Sequence, residues 1–173
     1  MKKASGLLHP EGILAEFELP DFTGFKGFKK IVALDRVSDP GNLGTILRTA
    51  LAFGFEGAFI VEGSTDPYND KAISAARGAS FKLPLKVGSW KELEHLIKEN
   101  NLFAVVGDLE GEDLSSMKPQ EKLLLILSNE AHGVSKEAAN CAKKVTIPIS
   151  NQMESLNVAV AAGILMYGLK NAH

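Results

Sequence analysis

The chain has 173 residues, 45% of them hydrophobic and 23% charged, which is typical of one globular domain and gives no sign of disorder or low complexity. A formal net charge of −2 excludes nucleic-acid binding driven by an overall basic field, so any RNA contact must use local basic groups. The single cysteine, Cys141, excludes an internal disulfide and is typical of a reducing compartment.

The predicted elements of the first half alternate between strand and helix. In chain order they are a strand IVALD (31–35), a helix from Asn42 to a stop at Gly54, a strand AFIVE (58–62), a helix DKAISAARG (70–78) and a strand KLPLKV (82–87). Asn42 is the expected N-cap of the first helix. The proline of KLPLKV indicates a strand at an edge or an end of the sheet, because proline cannot donate to a ladder hydrogen bond.

The second half continues this alternation. In chain order it contains a helix SWKELEHLIKEN with Ser89 and Glu92 as a capping box, the strands LFAVVG (102–107) and LLLIL (123–127), a helix capped by Ser135, a strand VTIPI (145–149) and a helix over 155–169. Most of the strands are apolar throughout, which favours a largely parallel sheet with helices on both faces. The predicted fold class is α/β.

Residues 1–28 form a leader that is rich in glycine and phenylalanine and has no clear period, so we expect an arm or tail before a main domain over 29–173. Its apolar run is broken by His9 and Pro10, which argues against a secretory signal. The longest apolar or glycine run, residues 158–169, is shorter than the roughly 20 residues of a membrane helix. We therefore expect a cytoplasmic protein that does not enter a membrane.

Loops that follow strands are the places to search for chemistry, because ligands of open α/β sheets lie outside the carboxyl ends of the strands. The first such loop, in DPGNLGTILRTA (39–50), reads as a turn and a capped helix. Arg48 lies on the polar face of that helix in its second turn, although the helix dipole favours cations at the other end. It is either a solvated surface cation or a functional residue.

The second loop, LSNEAHGVS (127–135), leaves an apolar strand and presents Asn129, Glu130 and His132. It is either a polar connector or a site. No second His or Cys stands at ligand spacing from His132, so we expect no metal. A G-x-S-x-G elbow is absent, which argues against a serine nucleophile.

The third stretch, ISNQMESLNVAVAAGILMYG (149–168), carries Ser155 and Asn157 into a run so rich in apolar residues that we expect both to be buried. Capping of a helix explains one of them. Because the two side chains flank Leu156 and point in different directions, the other needs a ligand or a second subunit as its partner.

Together, DPGNLGTILRTA, SNEAHGVS and IPISNQMESLNVAVAAGI resemble, in order and separation, the three signature motifs of the SpoU-type (TrmH-like) RNA ribose 2′-O-methyltransferases of the SPOUT class. The resemblance runs from about residue 30 to the C-terminus. It implies a parallel α/β sheet whose C-terminal part forms a deep trefoil knot, a homodimer, S-adenosylmethionine as methyl donor, and tRNA or rRNA as methyl acceptor.

The resemblance also implies the site residues. The catalytic set corresponds to Asn42, Arg48, Glu130, Ser155 and Asn157, and the cofactor-binding set to Gly107, Ser128, Asn129, Gly133, Ile147 and Leu156. Ser128 and Ala131 stand where members usually have glycine, which would strain a backbone that needs a positive φ.

In the family account Arg48 is the base that takes the 2′-hydroxyl proton. A guanidinium stays charged at neutral pH, so we expect Arg48 instead to contact the 2′-oxygen and the neighbouring phosphate and to stabilise the alkoxide. Asn42, Glu130 and Ser155 would position Arg48 and the ribose, and Asn157 would orient the loop. RNA contacts are expected from local cations, each more often a solvated surface group: Lys29, Lys30, Arg77, Lys82 and Lys86.

Two rival interpretations remain at this stage. An RNA-binding or assembly protein could keep the fold without catalysis, and the presence of Arg48, Glu130 and Asn157 argues against it. A nucleotide-binding α/β enzyme would carry a glycine-rich phosphate loop after the first strand, but DPGNLG is neither G-x-G-x-x-G nor a Walker loop.

Overall fold

The computed structural model describes residues 18–19, 22, 24–129 and 133–171. Glu130, Ala131 and His132, together with most of the predicted leader, lie outside the described residues. Within the described part the strands form one sheet in which every pairing is parallel, in the order β3-β2-β1-β5-β4-β6. The strands are β1 (Lys30–Asp35), β2 (Gly57–Val61), β3 (Leu85–Gly88), β4 (Phe103–Asp113), β5 (Leu123–Ser128) and β6 (Lys143–Thr146).

Helices cover both faces of this sheet. They are α1 (Pro40–Ala52), α2 (Asp70–Ala76), α3 (Ala79–Lys82), α4 (Trp90–Asn100), α5 (Lys136–Cys141) and α6 (Val158–Asn171), with a 3-10 turn at Leu114–Ser116. The buried side chains of α1, α2, α3 and α6 join one apolar cluster, and those of α4 and α5 join another on the opposite face. The predicted parallel α/β sheet with helices on both faces is therefore confirmed.

Several predicted boundaries differ from the structure. Asp39 is the N-cap of α1, because Pro40 takes the first helical position and the Asp39 carboxylate accepts from the Asn42 N–H; the prediction of Asn42 as the cap was wrong. The predicted strand 82–87 begins only at Leu85, since the preceding residues form α3, and β3 is an edge strand as its proline indicated. The last helix begins at Val158, three residues later than predicted.

β4 and β6 pair in an irregular way that shapes the site. Val145 of β6 lies opposite both Gly107 and Glu112, so the intervening residues of β4 bulge around it. Gly111 sits in this bulge so close to β6 that an added Cβ would lie 2.5 Å from the Val145 nitrogen. Only glycine therefore fits where the two backbones meet.

Aromatic residues near the start of the described chain pack on the edge of the second core cluster. Phe25 is buried against Phe59 of β2, and its ring also meets those of Phe22 and Phe28. The division into a leader over 1–28 and a domain over 29–173 stays a prediction. Among the residues that the structure describes, no helix has the length and apolar character needed to cross a bilayer.

Candidate active site

A cavity of about 380 Å³ opens beside the bulge of β4, at the carboxyl ends of β5 and β6 and next to the start of α6. Its volume lies within the range of small-molecule sites, about 300 to 1,000 Å³. Most of its lining is apolar. The described residues around it are Gly107, Asp108, Leu109, Glu110, Leu127, Ser128, Asn129, Gly133, Val134, Val145, Thr146, Ile147, Ile149, Ser155, Leu156, Val158, Ala161 and Leu165.

The structure brings all the predicted cofactor-binding residues to this one cavity. They come from three separate segments of the chain: Gly107, then Ser128, Asn129 and Gly133, then Ile147 and Leu156. Gly133 has a φ of +65°, which glycine adopts without strain. Ser128 is not among the described residues with positive φ, so the strain considered for a serine at this position does not arise. Ala131 lies outside the described residues.

The charges that line the cavity are negative within the described part of the chain, where Asp108 and Glu110 contribute carboxylates. Asp108 pairs with Lys144 at 2.9 Å, and Lys144 is not part of the lining. Burial acts to raise the pKa of Asp108, but the Glu110 N–H and Lys144 outweigh it and hold that pKa below its usual value. Asp108 is therefore ionised at neutral pH, and together with Glu110 it places carboxylates in the lining.

One polar atom of the cavity has no partner among the described residues. The hydroxyl oxygen of Ser128 is buried and makes no hydrogen bond with them. A buried polar group without a partner costs about 1 to 3 kcal/mol. A ligand in the cavity that hydrogen-bonds to this hydroxyl would remove the penalty.

Asn157 and Asn42 join the third and first sequence motifs at the margin of the cavity. The Nδ2 group of Asn157 donates to Oδ1 of Asn42 at 3.1 Å, while Oδ1 of Asn157 accepts from the N–H groups of Ala159 and Val160 and so caps α6. Ser155 lines the cavity two residues earlier.

The prediction that Ser155 and Asn157 are buried was wrong, because both are exposed in the single chain. The apolar run that motivated it starts at Val158, after the cap, and the preceding loop lies at the surface. Asn157 also needs no ligand as a partner, since the helix N–H groups and Asn42 satisfy it.

A buried carboxylate that the sequence analysis missed lies behind the loops of the site. Asp35 ends β1 and is fully buried; its Oδ1 accepts from the Trp90 indole at 3.2 Å and lies 3.3 Å from the Arg36 guanidinium. The Arg36 carbonyl accepts from the Asn129 side chain at 2.7 Å, which ties the loop after β1 to the loop after β5. The sequence feature that could have indicated this carboxylate is the position of Asp35 at the end of the otherwise apolar strand IVALD.

Arg48 does not line the cavity. It is exposed on α1 and faces a separate polar groove between α1 and α2. The structure therefore brings Asn42, Ser155 and Asn157 together and leaves Arg48 in the neighbouring groove. Glu130, the fifth predicted catalytic residue, lies outside the described residues.

In the described ranges, no three side chains of the His, Cys, Asp and Glu types come together to hold a metal ion. Of the cations that were predicted to contact RNA, Lys29, Lys30, Lys82 and Lys86 lie outside the groove that contains Arg48. Lys29 forms an ion pair with Glu121, and Lys86 forms one with Glu92. Arg77 lies in the same groove as Arg48.

The sequence is similar to known RNA-modifying proteins over most of its length. The model of the SpoU rRNA Methylase family matches residues 29–167. The chain is 33% identical over 165 residues to the 23S rRNA (guanosine(2553)-2′-O)-methyltransferase RlmP of Bacillus subtilis, covering 93% of this chain and 65% of that protein.

Solved structures of the same kind share the fold. The AdoMet-bound rRNA methyltransferase from Sinorhizobium meliloti gives a TM-score of 0.78 at 32% identity, covering 88% of this chain and 58% of that one. The SpoU methyltransferase AviRb from Streptomyces viridochromogenes, in complex with the cofactor AdoMet, gives 0.78 at 27% identity, covering 83% and 57%. The chain thus spans less than two thirds of the length of these three proteins.

Proposed function

Because the chain belongs to the SpoU rRNA Methylase family, we propose that it transfers a methyl group from S-adenosylmethionine to a ribose 2′-hydroxyl of tRNA or rRNA. The observation that carries this proposal is the single cavity lined by Gly107, by residues of the 128–133 loop, and by Ile147 and Leu156. Next to it lies the hydrogen bond between Asn42 and Asn157. RlmP, a relative of the chain, is named as a 2′-O-methyltransferase of 23S rRNA.

The residues of the cavity fit S-adenosylmethionine on four counts. The volume suits a ligand of that size, and the apolar walls suit its adenine ring. The two lining carboxylates, Asp108 and Glu110, favour its sulfonium and ammonium charges. The Ser128 hydroxyl offers a hydrogen bond that the described residues leave unused. Bound there, the cofactor supplies an electrophilic methyl carbon.

The remaining chemistry falls to the side chains of the chain. Methyl transfer is an in-line displacement, in which the ribose oxygen forms the new bond to carbon and the sulfur keeps the electron pair of the broken bond. The hydroxyl proton would pass late in the step to an oxygen of the neighbouring phosphate. Ser155 and the Asn42–Asn157 pair would hold the ribose at the rim of the cavity. Arg48 would contact the 2′-oxygen and the adjoining phosphate and so stabilise negative charge on that oxygen.

We also propose the trefoil knot that the family resemblance implies. It is supported by the match of residues 29–167 to the model of the SpoU rRNA Methylase family, which spans the segments from β4 to α6. An experimental trace of the backbone from β4 to α6 tests it, and an unthreaded path between Thr146 and Val158 would refute it.

A homodimer is proposed on the face of α6 that points away from the sheet. Val160, Ile164 and Tyr167 recur on this face and are exposed in the single chain, with relative accessibilities of 52%, 39% and 61%. Large apolar side chains at such spacing mark an interaction surface.

Since the proposed substrate is tRNA or rRNA, the proposed location is the cytoplasm.

The test of the function uses labelled S-adenosylmethionine with separated tRNA and rRNA fractions, followed by digestion and identification of the methylated nucleoside. A 2′-O-methylated nucleoside is the expected product. Cofactor binding and RNA binding without methyl transfer would instead favour an assembly protein that keeps the fold. Absence of cofactor binding by calorimetry would refute the assignment of the cavity.

A further inference from the structure

A polar groove of about 1,130 Å³ runs between α1 and α2, apart from the cofactor cavity. Arg48 and Thr45 line it from α1, and Tyr68, Lys71 and Arg77 line it from α2 and its flanking residues. The groove shares no lining residue with the cavity. Nothing in the proposed methyl transfer uses it beyond Arg48.

The groove owes its shape to the close packing of α1 on α2. A Cβ added at Gly44 would lie 2.2 Å from the Ala72 carbonyl oxygen and 2.8 Å from the Ala75 Cβ, so the two helices meet at a glycine. Arg48 lies one turn further along α1 from this contact and lines the groove. The contact therefore fixes the distance between the cation of α1 and those of α2.

The cations of the groove are available for a ligand. In the described part of the chain, none of Arg48, Lys71 and Arg77 forms an ion pair, whereas Lys29 and Lys86 do. One carboxylate, that of Asp70, lines the groove with them. Burial, and after it the charge of Asp66, raises the pKa of Tyr68, so its hydroxyl keeps its proton and can donate a hydrogen bond.

Arg77 holds a backbone conformation that an arginine seldom adopts. It ends α2 with a φ of +52° and a ψ of +43°, the left-handed region that glycine usually fills at this position. Glycine would adopt this conformation without strain, yet the chain has an arginine here, and Arg77 lines the groove. An outlier of this kind points to a role for the side chain.

We propose that this groove binds the ribose-phosphate backbone of the substrate RNA, next to the nucleotide that Arg48 contacts. Guanidinium and ammonium groups with a phenol hydroxyl are phosphate-binding chemistry, and contacts to phosphate carry no sequence information. The groove thus adds affinity and register to the reaction but no choice of sequence. The inference rests on the proposed function for the identity of the ligand as RNA.

The experiment measures binding of two fluorescent single-stranded oligoribonucleotides of unrelated sequence over a series of salt concentrations. Lys71→Gln and Arg77→Gln should each weaken both RNAs by a similar factor and lower the slope of log K against log salt by about 0.7, the contribution of one phosphate contact on a single strand. Lys91→Gln on α4 makes the same change of charge on the opposite face of the sheet and should leave the slope as it is.

Arg77→Gly separates folding from binding. Glycine adopts the φ of this position without strain, so this variant should raise the midpoint of thermal unfolding and still lose RNA affinity. Slopes that stay at the wild-type value in Lys71→Gln, Arg77→Gln and Arg77→Gly would overturn the groove as an RNA site. If the variants weakened the binding of one RNA and not of the other, recognition of the RNA backbone would be overturned.

Failure of the proposed function gives a different result. If wild-type protein binds RNA with the expected slopes but transfers no methyl group, the groove stands and the methyltransferase assignment falls. If wild-type protein methylates RNA and the groove variants keep the wild-type KM for RNA, the groove assignment falls and the methyltransferase stands.

Discussion

Asn157 hydrogen-bonds to Asn42 across 115 positions of sequence, with 3.1 Å between Nδ2 and Oδ1. The bond connects the N-terminus of α6 to the first turn of α1, and so the rim of the cofactor cavity to the helix that carries Arg48. Asn157 is fixed in place by its own capping bonds to Ala159 and Val160. It therefore holds Asn42 from a rigid base.

Substitution of Asn42 and Asn157 separates the effect of capping α6 from the effect of the hydrogen bond between the two side chains. Asn157→Ala loses both and should lower the free energy of unfolding by about 1 kcal/mol, the usual cost of an N-cap, whereas Asn42→Ala should cost less because Asp39 remains the cap of α1. Both variants should lower the rate of methyl transfer. If the link positions the ribose, kcat/KM of the double variant should be no lower than that of the poorer single variant. Effects that multiply would show that the two residues act independently.

Arg48 gives the sharpest test of the chemistry. Arg48→Ala should lower the single-turnover rate of methyl transfer about a hundredfold or more, as removal of one charge-stabilising group does, while cofactor affinity stays near the wild-type value. Arg48→Lys should restore little, because an ammonium cannot hold oxygen and phosphate with one planar fork.

If Arg48 is only a solvated surface cation, the opposite outcome is expected. Arg48 is exposed, and in that case Arg48→Ala would change stability by no more than about 0.5 kcal/mol and leave turnover unchanged. Lys91→Gln, on the far face of the sheet, serves as the control for loss of one exposed positive charge. Wild-type rates in Arg48→Ala would end the proposed role.

The sequence predicts the framework well because strands of a doubly covered sheet are apolar throughout. IVALD and LLLIL could be assigned without a structure, and both are fully buried at the centre of the sheet. The capping box of Ser89 and Glu92 was also correct, since its two bonds are local in sequence. Local periodicity carries this information.

What depends on long-range contacts could not be predicted. The burial of Ser155 was inferred from the apolar residues that follow it, but the loop before α6 turns to the surface. Asp35 received no role because the indole of Trp90 meets its carboxylate only once the sheet and α4 are packed together. The separation of Arg48 from the cavity likewise depends on how the helices pack in the fold and not on spacing along the chain.

Ser128 should affect stability and cofactor binding in opposite directions. Its buried hydroxyl has no partner among the described residues, so Ser128→Ala should leave the free energy of unfolding unchanged or raise it by up to about 1 kcal/mol, while it weakens S-adenosylmethionine by several-fold. Ser80→Ala is the matched control, because Ser80 has a second buried hydroxyl of this kind and does not line the cavity. Equal cofactor affinity in both variants would exclude contact between Ser128 and the cofactor.

The proposed dimer face can be tested with a matched pair of valines. Val160→Asp places a charge on the exposed face of α6, in the first turn where the helix dipole favours a carboxylate, so the fold should be retained while the dimer dissociates. Val87→Asp makes the same change at a similarly exposed valine of β3. Sedimentation should give a dimer for wild type and Val87→Asp and an 18.6 kDa monomer for Val160→Asp. A monomeric wild type at micromolar concentration would refute the proposal.

Glu92 predicts an acid-sensitive part of the stability. Its carboxylate accepts from the Ser89 N–H at 2.8 Å and the Ser89 hydroxyl at 3.0 Å and pairs with Lys86, and these contacts, the backbone bond first, lower its pKa from an ordinary 4.5 to about 2. A pKa depressed in the folded state means that the ionised form stabilises the fold. This contribution is complete above pH 4.5 and is lost as the pH falls from 4.5 towards 2.

In urea unfolding, Glu92→Gln should therefore be less stable than wild type at pH 7, and the difference should shrink steadily between pH 4.5 and pH 3. A difference that keeps its pH 7 size throughout this range would show that the charge of Glu92 contributes nothing to the capping box.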